Sequence, residues 1–151
     1  MILEEAIFTV FDFETTGLYP YTGDRICEIG AVRTGIRSGK PATFHSLIDP
    51  ERPISPGAFR VNGITEGMVK GKPVIDEVLP DFLKFIEGSV LVAYNAGFDL
   101  GFLDAALGAD AAILRGYYVI DALRLARKLF PSIGRYSLGI VADSLGISAG
   151  R

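Results

Sequence analysis

The sequence predicts an α/β fold: a five-stranded mixed sheet flanked by helices. Three strand-like apolar runs come first, an amphipathic helical pattern follows, and two further short strands then alternate with helices. Strands joined by loops favour antiparallel pairing, whereas strands joined through helices favour parallel pairing. The first three strands should therefore pair antiparallel, and the last two should be added parallel to the first.

The strands are predicted from β-branched and aromatic runs bounded by turn residues. The first run is mostly apolar, so we expect it in the middle of the sheet with both faces covered. The turn at residues 35–40, rich in Gly, Arg, Ser and Lys, indicates a hairpin between the second and third strands. The five strands are predicted at residues 7–13, 26–34, 42–48, 90–94 and 117–120.

The helices are predicted where apolar residues recur at three- and four-residue spacing. The clearest pattern covers residues 74–86, where Pro80 predicts a kink or a late start and Gly88 marks the end. Thr65 is a candidate N-cap of a short helix. The other helices are predicted at residues 56–61, 65–69, 98–107, 122–130 and 137–145.

Bulk properties restrict the class of protein. With 151 residues, 49% of them hydrophobic, residues 1–151 are expected to form one domain with a sizeable core. No apolar run approaches the roughly 20 residues that span a bilayer, so no membrane partner is expected. The one cysteine, Cys27, lies within a predicted strand, which indicates a buried thiol and a cytoplasmic location. The net charge of −3 argues against broad, non-specific binding of nucleic acid.

The end of the first strand carries two carboxylates. Asp12 and Glu14 are two residues apart, so they emerge on the same face of the strand. Two carboxylates leaving a buried strand on one side repel each other and resist desolvation. Either one of them takes up a proton or a cation lies between them, and a hard divalent ion is the simplest solution.

A third carboxylate follows the fourth strand. Asp99 lies where a strand and a turn of small residues lead into a helix. Taken alone, an acid in the first turn of a helix merely complements the helix dipole, and Asp12 and Glu14 taken singly suit a solvated strand end. The predicted topology, however, brings the ends of the first and fourth strands to one edge, where α/β sheets place ligands.

Two motifs carry a resemblance to a known family. Residues 12–18 read Asp-Phe-Glu-Thr-Thr-Gly-Leu, and residues 92–103 read Val-Ala-Tyr-Asn-Ala-Gly-Phe-Asp-Leu-Gly-Phe-Leu. They resemble the DEDD 3′→5′ exonucleases, especially the epsilon proofreading subunits of bacterial DNA polymerase III and their PolC-type relatives, with Tyr94 in place of the family's His. Residues 61–65 are similar to the family's His-Gly-Ile-Thr segment, with Asn62 replacing His. Residues 120–127 and 138–147 follow the family's later helices, so the resemblance covers essentially the whole chain.

The resemblance implies a ribonuclease-H-like fold and a function in removing nucleotides from DNA 3′ ends, in proofreading or repair. It implies that Asp12, Glu14 and Asp99 are catalytic and bind two divalent cations, Mg²⁺ or Mn²⁺. Two such ions suit phosphodiester hydrolysis because they activate a water and stabilise the leaving oxygen. The implied partners are a single-stranded or frayed 3′ end of DNA, or of RNA, and a DNA polymerase subunit. The implied substrate-binding residues are Thr15, Gly17, Leu18, Asn95 and Phe102.

Leu18 and Phe102 have two interpretations. The resemblance implies that they pack against the last bases of the substrate, where stacking tolerates any sequence. Ordinary packing within the core or a loop is the alternative for both residues. The Thr15 region, together with Glu14, is implied to contact the terminal 3′-hydroxyl.

The family's third motif, His-x₄-Asp, has no counterpart in the sequence. No histidine follows His45 and no aspartate follows Asp143, which we interpret as a solvated acid. The Tyr-x₃-Asp version also fails, because Ile140 stands four residues after Tyr136. We therefore expect the domain to be truncated before its final motif, and residues 1–151 alone to bind metal weakly and to show little or no nuclease activity.

Two other functions compete. Asp12, Glu14 and Thr15 superficially match the Asp-x-Asp-x-Thr of aspartyl-phosphate phosphatases, where Asp12 would be the nucleophile. That interpretation gives the Asp99 segment no role, and a trapped phospho-aspartate would be needed to support it. The other alternative is a non-catalytic nucleic-acid-binding or polymerase-associated module of the same fold.

Overall fold

The structure of the protein is a computed structural model that describes residues 2–37 and 39–147. Within those residues it has five strands, six α-helices and three short 3₁₀ segments. The strands are β1 (Ile7–Thr15), β2 (Ile26–Gly35), β3 (Ala42–Leu47), β4 (Val90–Ala93) and β5 (Val119–Asp121). The helices are α1 (Pro56–Asn62), α2 (Glu66–Val69), α3 (Ile75–Ile86), α4 (Ala96–Leu107), α5 (Ala122–Leu129) and α6 (Leu138–Ser144). The 3₁₀ segments are Leu3–Glu5, Pro20–Thr22 and Gly108–Gly116.

The five strands form one sheet in the order β3-β2-β1-β4-β5. β1 pairs antiparallel with β2, and β2 with β3, while β4 is parallel to both β1 and β5. The predicted ribonuclease-H-like arrangement is therefore confirmed. The three parallel strands end on one side of the sheet. We call this side the carboxyl edge and define it by residues 12–15, 93–95 and 121.

One face of the sheet is covered by α3 and α4. Phe82 of α3 is fully buried, and its ring centroid lies 6.1 Å from that of Phe11, 5.7 Å from Phe13 and 5.5 Å from Phe44. Phe11 and Phe13 alternate with Asp12 along β1, so their rings point to the core while Asp12 points away from it. The aromatic core thus fixes which face of β1 carries the acids.

The opposite face of β1 is less covered than the sequence suggested. Val10 is 46% exposed and its β2 partner Val32 is 39% exposed, so the expectation that both faces of β1 are covered is wrong for the described residues. α3 and α4 both pack on the Phe11 side. On the other side, Val10 lines a groove together with Ala122 of α5 and Leu138 of α6. β1 is central in strand order but is covered on one face.

Several predicted boundaries also shift. α4 begins at Ala96 and not at residue 98, because Asn95 adopts a left-handed conformation (φ 64°) that separates strand from helix at once. α3 begins at Ile75 and runs through Pro80, so a late start is wrong. The Val74 N–H donates to Glu77 Oε2 (2.9 Å) and thereby fixes the helix start.

The later boundaries differ in the same way. β5 begins at Val119 and not at residue 117, because the 3₁₀ segment Gly108–Gly116, which the sequence did not predict, occupies the preceding chain. Thr65 is confirmed as an N-cap, since its hydroxyl oxygen accepts from the Met68 N–H (3.3 Å). The predicted hairpin turn includes residue 38, which lies outside the described residues. No helix in residues 2–37 and 39–147 is long and apolar enough to cross a bilayer.

Candidate active site

Asp12 and Glu14 both lie on β1 at the carboxyl edge, on the face opposite the aromatic core. Asp12 pairs with Gly30 of β2, and Glu14 pairs with Glu28. The register shifts after Glu14, so β1 has an irregularity where its acids end. Burial raises the pKa of Asp12, and the nearby Glu28 carboxylate raises it further. Burial also raises the pKa of Glu14, with added repulsion from Asp12 and Glu28.

Asp99 reaches the same edge from the first turn of α4. It is only 2% exposed, and its Oδ1 accepts a hydrogen bond from the backbone N–H of Phe13 (3.0 Å), between the two β1 acids. Burial raises the pKa of Asp99 to about 7, Asp12 and Glu14 add repulsion, and the Phe13 N–H partly opposes both effects. The predicted convergence of two strand ends therefore brings these three carboxylates together.

The donor chemistry of these residues suits a hard divalent cation. All three side chains offer carboxylate oxygens, and each has its pKa raised by burial and by at least one neighbouring carboxylate. A cation would relieve this accumulation of negative charge. Residues 2–37 and 39–147 contain no three His, Cys, Asp or Glu side chains already arranged as a metal cage. The donors fit the cation, and side-chain rotation would be needed to complete its coordination.

Glu28 is a fourth acid that the sequence analysis missed. Its carboxylate contacts Nε2 of His45 on β3 (Oε1 to Nε2, 2.6 Å) and faces Glu14 across the β1–β2 ladder. His45 lies on the surface, with 64% of its side chain exposed. The register of β1 against β2 would have revealed Glu28, but the long connection between those strands leaves that register open in the sequence.

The loop that follows β1 is tightly closed on itself. Thr16 Oγ1 donates to Asp24 Oδ1 (3.1 Å) and accepts from the Arg25 N–H (3.0 Å), while the Thr15 hydroxyl donates to the Gly17 carbonyl (2.6 Å). A β-carbon added to Gly17 would lie 2.3 Å from Asp24 Oδ2, so only glycine fits there. Gly17 and Thr15 therefore shape the loop beside the acids.

A cleft of about 650 Å³ opens over the β1 acids. Leu18 (66% exposed) and Val61 (86% exposed) present apolar surface to it, and Phe98 lines it as well. Val61 and Phe98 were not identified from the sequence, although Phe98 directly precedes Asp99 in the second motif. The other lining residues are Asp12, Phe13, Glu14, Thr15, Gly17, Tyr19, Asp24, Ser55, Gly57, Ala58 and Asn62.

Helix α1 is attached to the end of β1 at both of its termini. The Ser55 N–H donates to the Thr16 carbonyl (3.0 Å), and Asn62 Nδ2 donates to the Thr15 carbonyl (3.2 Å). A hydrogen bond from the Asn62 amide also lowers the pKa of Glu14, against the effect of burial. The residue that replaces the family's histidine thus contacts the acid-bearing strand.

The structure separates the two predicted base-stacking residues. Leu18 lies exposed in the cleft, whereas Phe102 is 2% exposed within the aromatic core, and its ring packs on Phe98 at 5.0 Å. Phe102 offers no surface to a base in this conformation, because the helical spacing that places Asp99 at the edge turns Phe102 inward. The packing interpretation therefore replaces base stacking for Phe102. Asn95 lies exposed at the carboxyl edge and does not line the cleft.

Two DNA polymerase III proteins are similar to this chain in sequence. DNA polymerase III subunit epsilon of Treponema pallidum (strain Nichols) is 45% identical over 147 residues, which cover 96% of this chain and 67% of that protein. DNA polymerase III PolC-type of Clostridium perfringens (strain 13 / Type A) is 42% identical over 142 residues, 93% of this chain. The chain spans only 10% of the length of that PolC-type relative.

Solved structures share its fold. Exonuclease X, in complex with 5′ overhanging duplex DNA, superposes with a TM-score of 0.70 at 32% identity, covering 94% of this chain and 75% of that one. Product-bound exonuclease I superposes with a TM-score of 0.76, covering 96% of this chain and 39% of that one. Because the two sequences are only 20% identical, this similarity supports the fold alone. The family model described as exonuclease, RNase_T, matches residues 9–149. The chain therefore belongs to the RNase_T exonuclease family.

Proposed function

We propose that this chain is the catalytic core of a 3′→5′ exonuclease that removes nucleotides from DNA ends by two-metal hydrolysis. The observation that carries the proposal is the Asp99 carboxylate bound to the Phe13 N–H, between the two acids Asp12 and Glu14 that line the 650 Å³ cleft. It gathers oxygen donors from two separate elements beside a space large enough for a nucleotide. Family membership supplies the nuclease chemistry.

Asp12, Glu14 and Asp99 would hold the two divalent cations, Mg²⁺ or Mn²⁺. When bound, such ions supply an activated water and stabilise charge on the departing 3′-oxygen. The chain's own contribution is to position the acids: the Phe13 N–H orients Asp99, and the Asn62 amide and the paired Glu28 flank Glu14. Thr15, Gly17 and Leu18 shape the wall that the terminal nucleotide would contact. Asn95, exposed at the carboxyl edge, would contact the substrate from outside the cleft.

The substrate proposed is a single-stranded or frayed 3′ end of DNA, with RNA as the other polymer the site can accommodate. Exonuclease X was solved with 5′ overhanging duplex DNA, and exonuclease I with a dA16 oligonucleotide. The relatives named as DNA polymerase III subunits make a polymerase partner and a role in proofreading the proposed setting. Those names, together with the free buried thiol of Cys27, support a cytoplasmic site of action.

Turnover by residues 1–151 is proposed to be weak. The chain's one histidine, His45 on β3, contacts the Glu28 carboxylate on β2. The described residues therefore offer no histidine to take a proton from the attacking water. The proposal therefore separates metal binding, which the three acids provide, from fast hydrolysis.

Direct binding of Mn²⁺ tests the proposal most sharply. Titration calorimetry should show binding by the wild-type chain, and Asp12→Asn and Asp99→Asn should each weaken it at least about tenfold. With 5′-labelled oligonucleotide and Mn²⁺, any products should shorten one nucleotide at a time from the 3′ end. Wild-type protein that binds no Mn²⁺, even with thymidine monophosphate present, would contradict the proposal.

A non-catalytic nucleic-acid-binding module is the second candidate. The absence of a ready three-ligand cage among residues 2–37 and 39–147 favours it. It predicts that oligonucleotide binding is the same in EDTA and in Mn²⁺. The two-metal proposal predicts tighter binding with Mn²⁺, and tightening that disappears in Asp99→Asn.

A further inference from the structure

Helix α5 carries a concentration of positive charge in an otherwise acidic chain. Residues 122–142 contain four cations and no acid, whereas the whole chain has a net charge of −3. α5 starts directly after Asp121, which pairs with Ala93 of β4 at the carboxyl edge. The positive charge therefore begins at the edge that bears the proposed catalytic acids. The four cations are Arg124, Arg127, Lys128 and Arg135.

Arg124 and Lys128 are the two of these cations that line a groove. They are four residues apart, so they share one face of α5, and both are exposed. Within the described part of the chain neither side chain has an ion-pair or hydrogen-bond partner. Asp121, the nearest acid in sequence, accepts the Leu123 and Arg124 backbone N–H groups as an N-cap. Arg127 differs, because its guanidinium lies over the Tyr136 ring, 5.8 Å from the centroid.

These two cations line a groove of about 690 Å³ between α5 and α4. Ala96 and Gly97, in the first turn of α4, line it too, and an added β-carbon at Gly97 would meet no atom within 4 Å. The small side chains at the start of α4 thus leave room for an anion at that end of the groove, whereas Leu100, one turn later, adds apolar surface. Asp99 lies two residues after Gly97, so the groove runs beside the turn that delivers a proposed catalytic acid.

We propose that this α5 groove holds the backbone phosphates of the single strand whose 3′ end occupies the cleft, through Arg124 and Lys128. The inference rests on the proposed function. Arginine presents a planar fork that matches two phosphate oxygens, and lysine adds a point charge one helical turn away. The contacts carry no sequence information, as a site that accepts any 3′ end requires. They also attract the strand locally, although the chain as a whole carries a negative net charge.

Binding measured without metal tests the α5 groove alone. Fluorescence anisotropy with a labelled oligothymidylate in EDTA compares the wild type with Arg124→Ala/Lys128→Ala. Each phosphate that a cation of the protein neutralises contributes about 0.7 to the slope of log affinity against log salt. The double variant loses two such contacts and should therefore lower the slope by about 1.4. The same counterion release corresponds to an affinity loss of up to about 25-fold at 0.1 M salt. Arg124→Lys should keep the wild-type slope, because the charge remains.

Lys84→Ala/Arg115→Ala is the matched control. It removes the same charge from exposed positions in α3 and in the 3₁₀ segment that precede the starts of β4 and β5, at the opposite edge of the sheet. The control should bind as the wild type does. Equal losses in the two double variants, or no loss in Arg124→Ala/Lys128→Ala, would overturn the proposal. So would a polyglutamate peptide that competes as well as the oligonucleotide.

A small substrate separates this inference from the proposed function. The p-nitrophenyl ester of thymidine 5′-monophosphate carries one phosphate and cannot extend to α5. If Mn²⁺-dependent cleavage of the ester occurs and the double variant binds oligothymidylate normally, the groove proposal alone fails. If the double variant loses binding but the wild type neither binds Mn²⁺ nor cleaves the ester, the groove proposal stands and the proposed function fails.

Discussion

Replacing Asp99 by asparagine should stabilise the metal-free protein above neutral pH while removing a ligand of the proposed cation site. The carboxylate is 2% exposed, and burial raises its pKa to about 7 from an ordinary value of 3.8. Because the pKa is higher in the folded chain, the folded chain holds the proton more tightly than the unfolded chain between about pH 4 and 7. The stability that Asp99 contributes is therefore complete below about pH 4 and is lost as the pH rises through about 7.

The size of the effect follows from the shift. About three pKa units correspond to about 4 kcal/mol, an upper figure for the wild-type loss between pH 4 and pH 8 that is due to this group. The asparagine side chain would keep an oxygen acceptor for the Phe13 N–H and carry no charge at any pH. Asp99→Asn should therefore match the wild type within about 1 kcal/mol near pH 4 and exceed it by up to about 4 kcal/mol at pH 8. For a chain of this size that is about 8–16 °C in Tm.

Urea unfolding in EDTA at a series of pH values measures the difference directly. Asp143→Asn makes the same substitution at an exposed acid of α6 and should follow the wild-type curve throughout. At pH 8, Mn²⁺ at a hundred times the wild-type Kd should restore about 2.7 kcal/mol to the wild type and at most about 1.4 kcal/mol to Asp99→Asn, because the variant binds at least about tenfold more weakly. Parallel pH curves for the wild type and Asp99→Asn would refute the argument that burial of the Asp99 charge is what destabilises the metal-free site.

Three other substitutions or reagents probe the elements that support the site. Phe82→Ala should lower the free energy of unfolding by about 3–5 kcal/mol, because Phe82 is fully buried between aromatic rings; a loss under about 1 kcal/mol in urea unfolding would mean that the core can collapse around the cavity. Gly17→Ala should cost about 1–3 kcal/mol and weaken nucleotide binding measured by calorimetry, since its new methyl would meet the Asp24 carboxylate; unchanged binding would show that the loop does not shape the cleft. Burial raises the pKa of Cys27 to about 12, so Ellman's reagent should label it only after unfolding in urea, and prompt stoichiometric labelling of native protein would contradict this.

Local patterns were enough to predict the scaffold and two of the acids. Alternation along β1 fixed Asp12 and Glu14 on one face, and the loop or helix between successive strands fixed which pairs are parallel. That topology then brought Asp99 to the same edge. The covered faces were harder to predict, because the coverage of Val10 depends on which side of the sheet each helix packs, which no short-range pattern in β1 records.

The supporting contacts depend on long-range geometry. Glu28 is an unremarkable strand acid until the β1–β2 register sets it opposite Glu14. Asn62 is 47 residues from Thr15 in sequence, yet its amide donates to the Thr15 carbonyl. The resemblance around Asp99 implied that Phe102 contacts the substrate. In the structure it is Phe98, one helical turn earlier, that lines the cleft. Such contacts follow from how α1 and α4 pack against β1, and a sequence pattern fixes that only to within about a turn of helix.

The carboxyl edge combines rigid support with electrostatic strain. Three backbone groups at the end of β1 hold two helices. The Phe13 N–H binds α4 through Asp99, and the carbonyls of Thr15 and Thr16 bind α1 through Asn62 and Ser55. This backbone therefore fixes the positions of an acid and of a cleft wall at the same time. The acids it gathers have raised pKa values, first because the fold withdraws them from solvent and second because neighbouring carboxylates repel each other. Binding of a divalent cation would relieve that repulsion, so cation affinity at this edge should come from energy already stored by folding and not from rearrangement of the backbone.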